Sequence, residues 1–129
     1  MEIENKVIVV TGGSGGIGKA MATRFIHENA KFVILLDIKF DKSESESNNL
    51  ISKICDVTNE KKLTRIIDEI NHEFGLIDIF CSNAGILSLG NEQTSIEDWN
   101  KNWNLHVMSH VFAAKKLIPD MLKRGSGYF

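Results

Sequence analysis

Short, unbroken apolar runs alternate along this chain with longer stretches in which apolar residues return every three or four positions. Lys6–Thr11 is the first run, β-branched and followed by glycines, as a strand covered on both faces would be. Residues 16–28 carry Ile17, Ala20, Met21 and Phe25 at helical spacing, which predicts a helix with those four on its inner side. Phe32–Asp37 predicts a second buried strand, Leu50–Cys55 a short third and Ile77–Cys81 a fourth. Residues 38–49, between the second and third strands, are rich in Ser, Glu and Asn, have no apolar period and read as a mobile polar loop. Residues 59–74 set Leu63, Ile66, Ile67, Ile70 and Phe74 on one helical stripe, with Thr58 as the expected N-cap and Gly75 as the stop. Thr94-x-x-Glu97 has the form of a capping box opening a long helix to about Lys123. Its expected buried side is Trp99, Trp103, Val107, Val111 and Leu117 with Ile118. Pro119 is expected to remove a hydrogen bond and kink the last turn, and Gly125 and Gly127 end the helix. Tyr128 and Phe129 read as the opening of a fifth strand.

Strands joined by helices imply a parallel sheet with right-handed crossovers. The expected architecture is an α/β, doubly wound parallel sheet of strand order 3-2-1-4-5, incomplete, with strands 1–4 and only the start of strand 5. The 129 residues, 43% hydrophobic and 25% charged, suit one soluble domain, here 1–129 and truncated at its C-terminal side. A net charge of −2 gives no electrostatic reason to expect nucleic acid. No window approaches the ~18 apolar residues of a membrane span, and the acidic start gives no reason to expect a signal peptide. Cys55 and Cys81 are far apart and each borders an apolar run, so they read as reduced, buried thiols of a cytoplasmic protein, with no disulfide and no metal site.

The chemistry-bearing segment is the glycine turn from Thr11 to Gly18, between the first strand and the first helix. Glycines permit positive φ and let the backbone approach a phosphate closely. Free N–H groups at the helix start favour an anionic pyrophosphate. An acid, Asp37, ends the second strand about twenty residues on, which completes the parts of a Rossmann dinucleotide-binding unit.

Three motifs carry a resemblance. Thr11-Gly-x-x-x-Gly-x-Gly18, Asp56-Val57 after the third strand, and Ser82-Asn-Ala-Gly85 after the fourth are similar, in order, to signatures of the short-chain dehydrogenase/reductase family. The resemblance runs the length of the chain. It implies an NAD(P)-dependent oxidoreductase that interconverts an alcohol and a carbonyl by hydride transfer. Gly12, Gly16 and Gly18 would shape the phosphate turn, with the Ile17 N–H near the pyrophosphate and the Ser14 hydroxyl beside it. Asp56 would accept from the adenine amino group with Val57 against the ring; its other role is capping the next helix. Asn83, Ala84 and Gly85 would pass close to the ribose, and Asn83 could equally tie a strand end to its neighbour. Asp37 would accept both ribose hydroxyls. A 2′-phosphate there meets a like charge, a repulsion of about 4 kcal/mol at ~4 Å and an effective dielectric of ~20. The expected cofactor is therefore NAD, with NADP disfavoured. Gly15 and Ile38 stand where NADP-linked relatives carry a basic residue, and Lys39 is the one nearby cation that could soften the preference.

The family's catalytic Ser and Tyr-x-x-x-Lys come after its fifth strand. This sequence has one tyrosine, Tyr128, with only Phe129 after it, so none of that set is present. The family also places an Asn seven residues after the first Trp of the long helix; that position here is His106. Asn104 lies about 200° round an α-helix from it at ~100° per residue, and so does not substitute. His106 reads either as a water-binding replacement or as a packed histidine at the sheet edge, while His27, His72 and His110 carry no motif. The family further implies a homo-oligomer through the long helix 95–123, with apolar surface at Trp103, Met108 and Phe112, and a small-molecule substrate. The loop 86–90 borders the expected pocket but is too generic to name a ligand. Two other readings compete: a dinucleotide-binding module without catalysis, and a methyltransferase, against which the glycine pattern and Asn83–Gly85 weigh.

Overall fold

The computed structural model describes residues 2–40 and 48–129; residues 41–47, most of the predicted polar loop, lie outside the described residues. Four strands, β1 Val7–Thr11, β2 Phe32–Asp37, β3 Leu50–Ile54 and β4 Ile79–Cys81, form one parallel sheet in the order β3-β2-β1-β4. Val10 pairs with Leu35 on one side and Cys81 on the other. Alternation of side chains then sorts the core into two layers. Val7, Val9, Ile34, Leu36 and Phe80 face the helices α2 Glu60–Phe74 and α4 Ser109–Lys123. Ile8, Val10, Val33, Leu35 and Ile79 face α1 Gly16–His27.

Among the described residues the expected start of a fifth strand amounts to a single bridge beside β4. Tyr128 makes an isolated parallel bridge to Ile79, its N–H donating to the Asp78 carbonyl at 2.8 Å and its carbonyl accepting from Phe80 N–H at 2.9 Å. Phe129 stacks on Phe80 with ring centroids 5.5 Å apart. The fourth strand is shorter than its apolar run. Asp78 sits where the run would continue, and its carboxylate accepts from Val7 N–H at 2.9 Å.

The α2 stripe is as the spacing predicts, with Leu63, Ile67 and Ile70 buried and Gly75, at φ 103°, as the C-cap. The other helices depart from the sequence reading. In α1 Met21 and Phe25 pack on the sheet as expected, but the buried residues are Gly18 and Ala22, and Ile17 is 72% exposed with Ala20 also outward. Gly18 packs against the glycine turn so closely that a Cβ there would collide with the Gly12 carbonyl. The α2 N-cap is Asn59, whose side chain accepts from Lys62 N–H at 3.1 Å, and not Thr58. Thr58 is held one step earlier by Asp56, through its N–H at 3.0 Å and its hydroxyl at 2.7 Å.

The expected capping box at Thr94 is displaced likewise. α3, Ile96–Trp103, is capped by Ser95, which accepts from Asp98 N–H at 3.1 Å and donates its hydroxyl to the Asp98 carboxylate at 2.9 Å. Thr94 instead closes the preceding turn, accepting from Asn91 N–H at 3.1 Å. The long helix is interrupted by a π-helical turn, Asn104–Met108, between α3 and α4, and α4 runs on through Pro119 to Lys123. A π turn bonds i to i+5 and shifts the phase of the helix beyond it. The stripe through Trp99 and Trp103 is not the buried one: both residues are 59% exposed, and Val111 and Ile118 are exposed too, while Leu117 is buried as expected. The sheet-facing positions are Ser109, Ala113, Leu117 and Met121, with Phe112 packed against that layer. No helix among the described residues is long and apolar enough to cross a membrane.

Candidate dinucleotide site

A cavity of about 540 Å³ opens where β1, β2 and β4 end. All of the expected binding residues line it: Gly12, Ser14, Gly16, Ile17 and Gly18 from the glycine turn, Asp37 from β2, Asp56 and Val57 after β3, and Asn83, Ala84 and Gly85 after β4. Concave sites of this size at the C-terminal ends of parallel strands are where open α/β sheets take ligands.

The turn is closed by tight packing. Gly12 N–H donates to the Leu36 carbonyl at 2.8 Å, fastening the turn to β2. Gly12 sits at φ 67°, and a Cβ there would lie 2.9 Å from Ala84 Cα. Gly16 also has positive φ, 53°, but open space where a Cβ would stand. The start of α1 is unusual in this chain. α2 and α3 have side-chain caps, whereas α1 has Gly15 at its N-cap position, no side-chain cap and no acid in its first turn. Its first N–H groups carry the partial positive charge of the helix start and border the cavity.

The acid at the end of β2 faces this turn. One Asp37 carboxylate oxygen accepts from Ser14 N–H at 3.0 Å and the other from Ile38 N–H at 2.7 Å. Lys39 makes no ion pair with it among the described residues. Asp56 spends one oxygen on Thr58 and lines the cavity with Val57; it does not cap α2.

The β4 side is joined to β1 by a residue that the motif reading passed over. The Thr11 hydroxyl oxygen accepts from both Asn83 N–H and Ala84 N–H at 2.9 Å, and it donates to the Cys81 carbonyl at 3.4 Å. The Asn83 side chain donates in return to the Thr11 carbonyl at 2.9 Å. Asn83 is thus the tie between strand ends and a wall of the cavity together. Gly15, Leu36, Ile38, Cys55, Ile86 and Leu105 complete the lining. Ile86 opens the loop expected to border the pocket, whereas no motif marks Leu36 or Leu105 and only their place in three dimensions brings them there. Burial, with the neighbouring Asp56 charge, pushes the Cys55 thiol up to about 11, against a smaller lowering by Lys62; burial also pushes up the Cys81 thiol, which is half-buried rather than buried.

His106 lies within the π turn and does not line the cavity. Its Nε2 is 3.0 Å from the Ile86 carbonyl oxygen and 3.3 Å from Ile86 N, and a Cβ on Gly85 would lie 2.9 Å from its Cε1. It packs behind Gly85 and holds the loop after β4. The ~100° per residue that separates Asn104 from His106 on paper belongs to an α-helix and does not apply across this turn, of which Asn104 is the first residue.

Comparison with known proteins agrees with this geometry. The sequence model described as short chain dehydrogenase matches residues 6–128. The chain is 33% identical over 130 residues to an NAD-dependent glycerol dehydrogenase of Listeria innocua, covering 97% of this chain and 51% of that protein. Among solved structures it resembles the ligand-free aldohexose dehydrogenase of Thermoplasma acidophilum, with TM-score 0.84 and 37% identity over 94% of this chain and 46% of that one. It also resembles the L-sorbose reductase of Gluconobacter frateurii, complexed with NADPH and L-sorbose, with TM-score 0.85 and 30% identity over 98% of this chain and 52% of that one. The chain spans about half the length of the curated relatives it matches.

Proposed function

Because the chain belongs to the short-chain dehydrogenase family, we propose that it binds NAD(H), in preference to NADP(H), for hydride transfer between a small alcohol and its carbonyl. The observation that carries the cofactor choice is the Asp37 carboxylate, set at the cavity rim by two backbone N–H groups. Relatives are named with either cofactor, one as NAD-dependent and another in complex with NADPH, so the choice rests on this chain's own residues.

The residues fit such a group. Gly12 and Gly18 leave no room for a side chain, which keeps the backbone surface bare, and the uncapped start of α1 offers N–H donors to a pyrophosphate. Asp37 accepts from ribose hydroxyls, Asp56 and Val57 hold the adenine, and Asn83 to Gly85 pass the second ribose. A bound nicotinamide supplies or takes up the hydride. Titration calorimetry with NADH and NADPH tests the reading: NADH binds at least tenfold tighter, a difference of ~1.4 kcal/mol, and equal affinities would sink it.

A second reading keeps dinucleotide binding alone for these 129 residues, carried by the glycine turn and the uncapped start of α1. On this reading the purified chain shows no NAD-dependent turnover of alcohols or ketones. Turnover abolished by substituting one of its own residues would overturn it. The proposal extends to a cytoplasmic location, supported by two free thiols. It also extends to a homo-oligomer through 95–123, supported by the exposed Trp103, Val111, Ile118 and Leu122. A monodisperse monomer by light scattering would count against the oligomer.

A further inference from the structure

A second cavity, about 350 Å³, lies along the loop after β4, lined by Ser88, Leu89, Asn91, Thr94, Trp99 and Asn102 with Gly90 at its turn. Its size falls in the range of small-ligand sites, ~300–1,000 Å³. None of its lining side chains is charged. The polar groups are held in place by one another. The Asn102 amide donates to Ser88 Oγ at 3.0 Å and to the Asp98 carbonyl at 2.8 Å. Thr94 Oγ1 accepts from Asn91 N–H, and Gly90 packs so tightly on Thr94 that a Cβ would collide with that hydroxyl.

These bonds leave a defined set of donors and acceptors to spare. The Ser88 and Thr94 hydroxyls accept and keep a proton to donate; the Asn102 carbonyl oxygen and the Trp99 indole N–H have no protein partner among the described residues. Trp99 is also 59% exposed, so a flat apolar face stands beside a ring of neutral donors and acceptors. Glu92, Glu97 and Asp98 stand in the same loop and the first turn of α3, against the single cation Lys101 in its last turn, so acids outnumber bases there.

We propose that this cavity binds a neutral polyhydroxylated molecule of monosaccharide size, with its C–H face on the Trp99 indole and its hydroxyls on Ser88, Thr94 and Asn102. The site is defined without any dinucleotide. Ile86 lines the first cavity and Ser88 the second, so the same loop borders both. A sugar or sugar alcohol held here is a substrate candidate; that last step alone rests on the reaction proposed above.

D-glucose, xylitol and D-glucuronate are the probes, each titrated into the full chain by calorimetry and followed by its intrinsic tryptophan fluorescence. Saturable millimolar binding of D-glucose or xylitol is expected, at least fivefold weaker for the anionic D-glucuronate. Asn102→Leu and Trp99→Leu each weaken it tenfold or more, with circular dichroism of both variants unchanged. No saturable binding of either neutral probe to the unaltered chain overturns the proposal, as does undiminished binding to both well-folded variants. NADH titration of the same samples separates the two readings: sugar binding with no NADH binding leaves this site standing and removes the cofactor proposal, and the reverse outcome does the opposite.

Discussion

Asp37 sits in a small anion cradle of its own making. Its oxygens take the N–H groups of Ser14 and Ile38. Replacing Asp37 with Ala removes a negative charge and also frees two donors at the place a 2′-phosphate would occupy. The expected result is therefore a shift toward NADPH: its affinity rises at least tenfold relative to NADH, about 1.4 kcal/mol, measured by calorimetry on both forms. An unchanged ratio would show that Asp37 does not govern the choice. Gly18 has the opposite character, since what matters there is the atom it lacks. Gly18→Ala drives a methyl into the Gly12 carbonyl, and overpacking of this kind costs about 1–3 kcal/mol. Urea denaturation should show that loss. The glycines, Asp37, Asp56 and Asn83 were legible in the sequence because each belongs to a motif with a spacing. Leu105 was not, because it reaches the cavity from a helix more than twenty residues past Asn83 in the chain. Thr11 was read only as the first letter of a motif, although its hydroxyl bonds three backbone groups.

At the scale of elements, apolar runs and stripes located every strand and helix of the described sheet, yet several details were displaced by a single residue. Caps are the clearest case. Thr58 and Thr94 have the right chemistry, but each is engaged in the turn just before its helix, so Asn59 and Ser95 take the cap. Asn59→Ala should accordingly cost about 1 kcal/mol in urea denaturation, and Thr58→Ala less than half as much. Equal losses would mean that Thr58 supports the helix start as strongly as Asn59. The burial of Gly18 had no local signal, since its contact with the Gly12 carbonyl exists only once the helix folds back on its own loop. Similarly, the π turn at Asn104–Met108 breaks the periodicity that joined Trp99 and Trp103 to Val111 on one stripe.

For the molecule as a whole, burial of Cys55 ties stability to alkaline pH. Its thiol titrates at about 11 when folded, against an ordinary 9.0. Below the ordinary value both folded and unfolded chains hold the proton, and the contribution is fully present. Between the two values the unfolded chain loses the proton first, so stability falls as pH rises and the contribution is gone above the folded value. The urea midpoint should drop from pH 9 to 11 in the native chain and fall less steeply in Cys55→Val; parallel curves for the two would refute the assignment. The tie between Thr11 and Asn83 joins residues 72 positions apart in sequence. The floor of the nucleotide cavity therefore cannot preassemble from a local segment. It comes into being only when the first and fourth strands are already side by side, after a long chain closure whose entropy has no local reward. Amide hydrogens of Asn83 and Ala84 should exchange through the largest opening of the fold and not by fraying, and any nucleotide that slows their exchange will be reporting on the whole sheet.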